Sequence, residues 1–214
     1  MCSPMPLPST WVVKLGGAML EASELPAWLA ACAGDASLST RCVVVAGGGG
    51  LADQVRALQA RWQFDDLLAH QLALDTMRIH ARMLHGLAPT LPLCQVQCAA
   101  ELGALPPSGG LLWSPPRTFA PAALPASWAV TSDSIALWLA QALAATALIL
   151  VKSLSAAALS AMRADTLAAS GVVDAHFPSL VVGGEVPVRL MGKSQILDFT
   201  RHLQAGIVPG AALD

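Results

Sequence analysis

Charge is what this chain has least of. Asp, Glu, Lys and Arg make up 12% of its 214 residues, against a usual ~25%, and no run of Lys or Arg is long enough to cover a face. With a formal net charge of −2, the composition argues against nucleic acid or an anionic membrane as the main partner. Mean hydropathy is +0.58. A surface so short of charge is expected to cover part of itself by self-association, as a homo-oligomer.

Long hydrophobic runs are missing too. The most apolar stretch, Ile135 to Val151, is interrupted by Gln141 and Thr146 and spans 17 residues, below the ~20 that a helix needs to cross hydrocarbon. It reads instead as a buried helix carrying Leu137, Leu139 and Leu143, followed by a strand from Ala147 to Val151. Met1 to Thr10 has prolines and no basic residue, so no signal peptide is expected there. The cysteines, Cys2, Cys32, Cys42, Cys94 and Cys98, are odd in number and lack CxxC spacing. They predict reduced thiols in a cytoplasmic protein, with no metal site.

What is present centres on Arg41 to Arg56, RCVVVAGGGGLADQVR. Val43, Val44 and Val45 suit a strand buried on both faces, and Leu51, Val55 and Leu58 recur at helical spacing. Four glycines join the two. They can turn sharply and bring bare N–H groups to a ligand at the positive end of the following helix, a place for a phosphate. A flexible turn is the alternative, since a glycine run alone is weak evidence.

Strands are predicted at Trp11 to Leu15, at the valines above, at Leu91 to Gln97, Leu111 to Ser114, Ala147 to Val151, Phe177 to Val182 and Val186 to Met191. Helices are predicted at Leu20 to Ala33 with Pro26 in a first turn, at Leu51 to Trp62, Phe64 to Leu87, Cys98 to Leu102 and Ala156 to Ala169. Another runs from a Thr131 or Ser132 cap to Ala145, and the last is Gln195 to Gln204. The first helix–strand alternations, with glycines at strand ends, predict one domain: a three-layer α/β/α sandwich on an open, mainly parallel sheet, with ligands at its carboxyl edge. Residues 1–10 are expected to be flexible. The proline-rich stretch Pro106 to Pro125 is either a lid or a connector.

Lysine occurs three times, as Lys14, Lys152 and Lys193, each beside a glycine or at a strand end: VVKLGG, LILVKS and LMGKS. Lys14 points away from the face of Val13 and Leu15, two residues before Gly16 and Gly17. An ammonium at the mouth of a glycine turn neutralises a transferring phosphoryl group; a strand-end lysine that merely reaches solvent is the competing reading. Asp133, in VTSDSIA, either caps a helix or orients lysine ammonium groups. His70 is either a packed core histidine or a pocket residue. Asp53 and Arg56 line a pocket or pair on an exposed face. Thr131, Ser132 and Ser134 could donate to an acceptor or cap, and His176 is undecided.

The ordered set VVKLGGAML, VVVAGGGGLADQVR, DDLLAHQLALDTM, WAVTSDSIALWLA and LILVKS, over residues 11 to 200, resembles the amino acid kinase superfamily. GGG-LADQVR, AH-x-x-A, TSDSIA and GVVDAHFPSL are most similar to its short kinases of methanofuran and methylofuran biosynthesis, which phosphorylate (5-(aminomethyl)furan-3-yl)methyl phosphate to the diphosphate. The resemblance implies a small-molecule kinase using ATP and Mg²⁺, with an acceptor half at 11–130 and a nucleotide half at 131–214. It implies that Lys14, Gly16 and Gly17 meet the ATP phosphates, that Gly47, Gly48 and Gly49 hold the acceptor phosphate, and that Asp133 positions Lys14. It also implies nucleotide roles for Lys152 and Ser153 and for Lys193, and raises Asp53, His70, Thr131 and Ser132 as acceptor-site residues. Mg²⁺ would bridge ATP oxygens without a dedicated carboxylate cage. Two departures stand out: Val151 to Ser155 replaces the TDVDG nucleotide signature of many members, and Lys193 is the only lysine near the place of their late second lysine.

Overall fold

The computed structural model describes residues 9–35, 38–105, 109–154, 163–183 and 185–213. Its elements in chain order are β1 (Ser9–Leu15), α1 (Gly17–Leu20), α2 (Leu25–Ala33), β2 (Thr40–Ala46), α3 (Gly49–Trp62), α4 (Asp66–Leu87), β3 (Leu93–Cys94) and α5 (Ala99–Gly103). There follow β4 (Leu111–Trp113), α6 (Ser132–Ala142), β5 (Ala147–Lys152), α7 (Ala164–Ala169), α8 (Phe177–Val182), β6 (Val188–Gly192), α9 (Ile196–Ala205) and β7 (Ala211–Ala212).

The sheet has the order β3-β4-β2-β1-β5-β6-β7 and is parallel except for the β6–β7 pair. This is the expected α/β/α sandwich on an open, mainly parallel sheet. β1 lies at its centre, paired with β2 on one side and β5 on the other, and its residues Trp11 to Leu15 are buried. Strands covered on both faces are apolar throughout, which is why VVV and LILV read as strands. Because the chain moves from β1 to β2 on one side and later returns to β5 on the other, the carboxyl end of β1 is a switch point where a crevice opens.

Alternation along the strands separates two cores. Val12, Val43, Val45, Leu148 and Leu150 pack with Leu74 and Met77 of α4, Ile135 and Leu139 of α6, Leu167 of α7 and Phe177 of α8. Trp11, Val13, Leu15, Val44, Ile149 and Val151 pack with Trp28 and Leu29 of α2 and Phe199 and Leu203 of α9. Lys14, between Val13 and Leu15, therefore shares the α6 face, as its sequence neighbours predict, and Lys152 lies two residues beyond Leu150 on that same face.

Several expectations are corrected. Leu20 to Ala33 is two helices, because Pro26 occupies the first turn of α2 and a proline ring cannot follow a preceding helical turn. Phe177 to Val182 is a helix. Its six residues, FPSLVV, carry no decisive period, Pro178 sits in the first turn, and the Asp174 carboxylate takes the Phe177 N–H at 3.0 Å. Leu91 to Gln97 narrows to the two residues of β3, with Val96 O instead accepting from Trp113 Nε1. α6 ends at Ala142 rather than Ala145, and neither Thr131 nor Ser132 caps it with its own side chain. The helix expected at Phe64 to Leu87 starts at Asp66: Asp65 is its N-cap and accepts from Leu68 N at 2.7 Å, and its C-cap is Ala88. Residues 155–162, Gly184, 106–108 and 1–8 lie outside the described residues, and with them part of the helix expected at Ala156 to Ala169 and most of the stretch 1–10 expected to be flexible, whose Ser9 and Thr10 instead open β1 because they pair with Thr40 and Arg41 of β2. Residues 114–125 are packed rather than hanging free: Arg78 donates to Pro115 O and Pro116 O, each at 2.7 Å, and the Phe119 ring lies between Trp113 and Trp138.

Phe199 is fully buried, with its ring centroid 4.8 Å from that of Trp28 and 6.2 Å from that of Trp11. Phe199→Ala is expected to lower unfolding stability by ~3–5 kcal/mol, read by urea unfolding followed through tryptophan fluorescence. A loss under ~1 kcal/mol would show that this second core does not carry the α9 layer.

Candidate active site

Three strand ends meet at the switch point. β1 runs into Gly16 and Gly17, β2 into Gly47, Gly48 and Gly49, and β5 ends on Lys152. The two glycine turns touch: a Cβ on Gly17 would sit 2.7 Å from Gly49 Cα, so only glycine allows the approach. Gly49 has φ +50, which glycine adopts without strain. A Cβ on Gly47 would lie 3.1 Å from Ser132 Oγ, and one on Gly16 would lie 3.2 Å from Lys14 Nζ.

Asp133, in the first turn of α6, faces both strand-end lysines. Its Oδ1 lies 3.0 Å from Lys14 Nζ and 2.8 Å from Lys152 Nζ, while Lys152 also reaches Oδ2 at 2.9 Å and donates to Val172 O at 2.6 Å. All three side chains are nearly sealed from solvent. Burial alone would raise the Asp133 carboxyl, but the two ammonium groups outweigh it and hold it below its ordinary range. Burial first, then the Lys14 charge, pulls the Lys152 ammonium down to about 8 despite Asp133. Two cations on one anion leave an excess positive charge where the glycine turns meet, suited to polyphosphate.

A cleft of about 380 Å³ opens beside the turns, lined among others by Gly17, Gly48, Gly49, Asp53, His70 and Trp128. Thr131 and Ser132 also line it. Arg56 stacks its guanidinium 4.5 Å from the centroid of the Trp128 ring, whose Nε1 donates to Gln59 Oε1 at 2.5 Å. Burial lowers the His70 pKa. The expected residues are thus largely gathered in one place. The exceptions are Lys193, whose backbone N–H donates to Lys152 O but whose ammonium sits 3.5 Å from Glu24 Oε1, half exposed, and Ser153, exposed just past Lys152. Ser134 and Thr131 do not offer their hydroxyl hydrogens to the cleft; both donate to Asp174.

The model of the amino acid kinase family matches residues 9–156. The chain belongs to that family. In fold it is similar to the UMP kinase of Bacillus anthracis, with a TM-score of 0.66 and 12% identity over 97% of this chain and 96% of the other. It is also similar to the uridylate kinase of Archaeoglobus fulgidus, with a TM-score of 0.63 and 14% identity over 95% and 99%. The UMP kinase of Ureaplasma parvum gives a TM-score of 0.63 and 13% identity over 96% and 98%. No curated protein sequence matches the chain. As an amino acid kinase family member the protein is a phosphotransferase, and none of its described helices is long and apolar enough to cross a membrane.

Two residues of this family member escape sequence reasoning. Asp174 accepts from Thr131 N, Thr131 Oγ1, Ser134 N, Ser134 Oγ and Phe177 N, at 2.5 to 3.0 Å. It caps α6 from outside and so fixes the turn bearing Asp133. The GVVD motif was the available signal. His80, buried on α4, holds Gly47 O through Nδ1 at 2.8 Å; the sequence drew attention to His70 instead.

A pH dependence follows from Lys152. With its ammonium titrating at about 8 in the free protein, raising the pH past that value removes a positive charge, and an anionic ligand binds the protonated form more tightly. Affinity for a non-hydrolysable ATP analogue is expected to be flat from pH 6.5 to 8 and to weaken by up to ~10-fold per pH unit above it. Calorimetric titration from pH 6.5 to 10 measures this, and a flat profile throughout would place Lys152 outside the anion site.

Proposed function

We propose that the protein is an ATP-dependent kinase that transfers a phosphoryl group to a small phosphate acceptor, of which (5-(aminomethyl)furan-3-yl)methyl phosphate is the candidate substrate and its diphosphate the product. The observation that carries this reading is the contact between the Gly16–Gly17 and Gly47–Gly49 turns, with Lys14 and Lys152 gathered on Asp133 beside it. In this reading residues 131–214 and the first turn take the nucleotide, and residues 11–130 take the acceptor. An acceptor phosphate oxygen attacks the γ-phosphorus, the new P–O bond forms as the bond to ADP breaks, and the anionic acceptor has no proton to lose. Lys14 and Lys152 offset charge on the transferring group, while Asp133 holds them in place rather than acting as a base.

Mg²⁺ would enter on the nucleotide's own oxygens. There it would be carried mainly by phosphates and water. An aminomethyl acceptor also calls for a carboxylate, and Asp53 lines the cleft. Asp66 and Asp75 are engaged elsewhere: Asp66 accepts from Gln59 and Asp75 pairs with Arg78. The free thiols Cys32, Cys42, Cys94 and Cys98 are compatible with work in the cytoplasm.

The test is ADP release from Mg-ATP over a panel of phosphate, carboxylate and carbamate acceptors. The furan phosphate, or another phosphate, is expected to turn over. Lys14→Ala is expected to cut that turnover by at least ~10³-fold while the fold holds, the scale of a transition-state contact. Turnover only with carboxylates would replace the acceptor class, and analogue binding without turnover on any acceptor would favour a ligand-binding relative.

We also infer self-association through the outer helices, with a second copy as the partner. Leu51, Val55, Leu58 and Trp62 form a stripe on α3 whose spacing reads the same in reverse, as a two-fold pairing of antiparallel helices requires. None of the α3 side chains is buried, and Trp62 is 65% exposed. Further apolar side chains are exposed on α4, among them Leu67, Ile79 and Leu87. Sedimentation at micromolar concentration should give a dimer or larger, and Leu58→Glu should shift it toward monomer. A monomeric wild-type protein would overturn the inference.

A further inference from the structure

The N-terminus of α3 has no side-chain cap. Its first residues follow a distinctive backbone: Gly48 is right-handed, at φ −74 and ψ −20, and Gly49 is left-handed, at φ +50. Alternation of this kind curls successive N–H groups toward one point and forms an anion-binding concavity. The direction in which the concavity faces depends on the peptide before it. In a planar trans peptide the carbonyl and the N–H point opposite ways, so whatever fixes the Gly47 carbonyl also fixes the Gly48 N–H.

That carbonyl is held by His80, on α4. Gly47 O can only accept, so the bond at 2.8 Å assigns the hydrogen to His80 Nδ1. The ring is buried, and its Cε1 would be 3.3 Å from a Cβ on Gly49, so it touches the turn from beneath. Thr76, one turn earlier on α4, backs Gly48 at 2.7 Å from where a Cβ would lie, and its own hydroxyl donates to Ala73 O, leaving the Gly47 carbonyl to His80. The Gly47 N–H is spent on Leu15 O at 2.9 Å. The turn is thereby pinned on both sides of Gly47, and Gly48 and Gly49 line the cleft.

We propose that His80 is a positioning residue for the acceptor phosphate: by holding the Gly47 carbonyl away from the cleft, it aims the Gly48 and Gly49 N–H groups at the acceptor. The inference rests on the kinase reading for what the anion is, and on the backbone geometry for where it binds. His80 touches no reacting atom, so its loss acts on acceptor binding and not on the phosphoryl-transfer step.

Two variants separate this role from mere packing. His80→Leu keeps an apolar filling and removes the donor, while His80→Asn places an amide N–H near the position of Nδ1. In the kinase assay His80→Leu is expected to raise KM for the acceptor at least 10-fold, with KM for ATP and kcat within threefold of wild type. His80→Asn is expected to restore acceptor KM to within threefold. Inorganic phosphate, titrated by calorimetry into each protein, gives a readout independent of turnover, with the same order of affinities expected. Unchanged acceptor KM and phosphate affinity in a folded His80→Leu protein would overturn the proposal, as would a loss that His80→Asn does not restore. A wild-type protein without turnover on any acceptor would remove the kinase reading alone, leaving the phosphate titration to decide the role of His80.

Discussion

One carboxylate held between two buried ammonium groups governs this molecule. Asp133 cannot serve Lys14 and Lys152 together unless β1 and β5 are adjacent, in a register that puts both lysines on one face, with the first turn of α6 above them. Each group would be costly to bury alone, since an unpaired charge in the interior forfeits its hydration. Together they remain charged and leave one positive charge over. That surplus sits where two helices begin and two glycine turns expose backbone, and every local feature there favours an anion. Burial first, and the neighbouring Lys14 charge second, explain why Lys152 holds its proton less firmly than an ordinary lysine although a carboxylate is within hydrogen-bond distance.

The order of the strands turns this cluster into a site. Parallel strands bring all their carboxyl ends to one edge, and the reversal of winding at β1 keeps the loops after β1 and β2 from being covered by the connection to β5. Glycine then sets the gap. With side chains on Gly17 and Gly49 the two turns could not touch, and the lysines on one side would lie farther from the N–H groups on the other. Asp174 and His80 do matching work on the two halves: one carboxylate ties down the start of α6, and one imidazole ties down the turn before α3. Each does so from a different element, so neither half of the cleft relies on its own short loop for rigidity.

What could be read in the sequence follows from how local each signal is. Lys14, Lys152 and the glycines announce themselves because lysine is scarce and because a glycine run between a strand and a helix is a local pattern. The strands of the central sheet were legible for the same reason, being apolar, β-branched and bounded. Asp174 was not, because four of its five donors lie at least 40 residues away in the chain. A carboxylate in GVVD looks no different from a surface turn until the fold brings α6 over it. His70 and His80 lie on one amphipathic helix, ten residues and so about 80° apart around its axis, and the sequence does not reveal which of the two meets the glycine turn. Phe177 to Val182 failed as a strand because a mostly apolar stretch of six residues has no period to speak of, and tertiary capping by Asp174 decided its form.

α3 shows how far local stability can be delegated to the site. It is 14 residues long, buries none of its side chains and lacks a side-chain cap at its start, so on its own it would be marginal in water. Its apolar stripe turns outward, which means the core does not hold it either. It lies along α4, and it is tied further by the contact of Gly49 with Gly17 at one end and, at the other, by the bonds of Gln59 to Asp66 and Trp128, with Arg56 stacked on the same Trp128 ring. Of these residues, Gly17, Gly49, Arg56 and Trp128 line the cleft. A helix fixed in part by the edges of a binding site, with its N-terminus at that site, is stabilised by whatever anion fills it, because a ligand favours the arrangement it binds. The low charge and the outward apolar stripe are then two sides of one constraint: this helix is placed by its ends and its partners, and very little by the hydrophobic core beneath it.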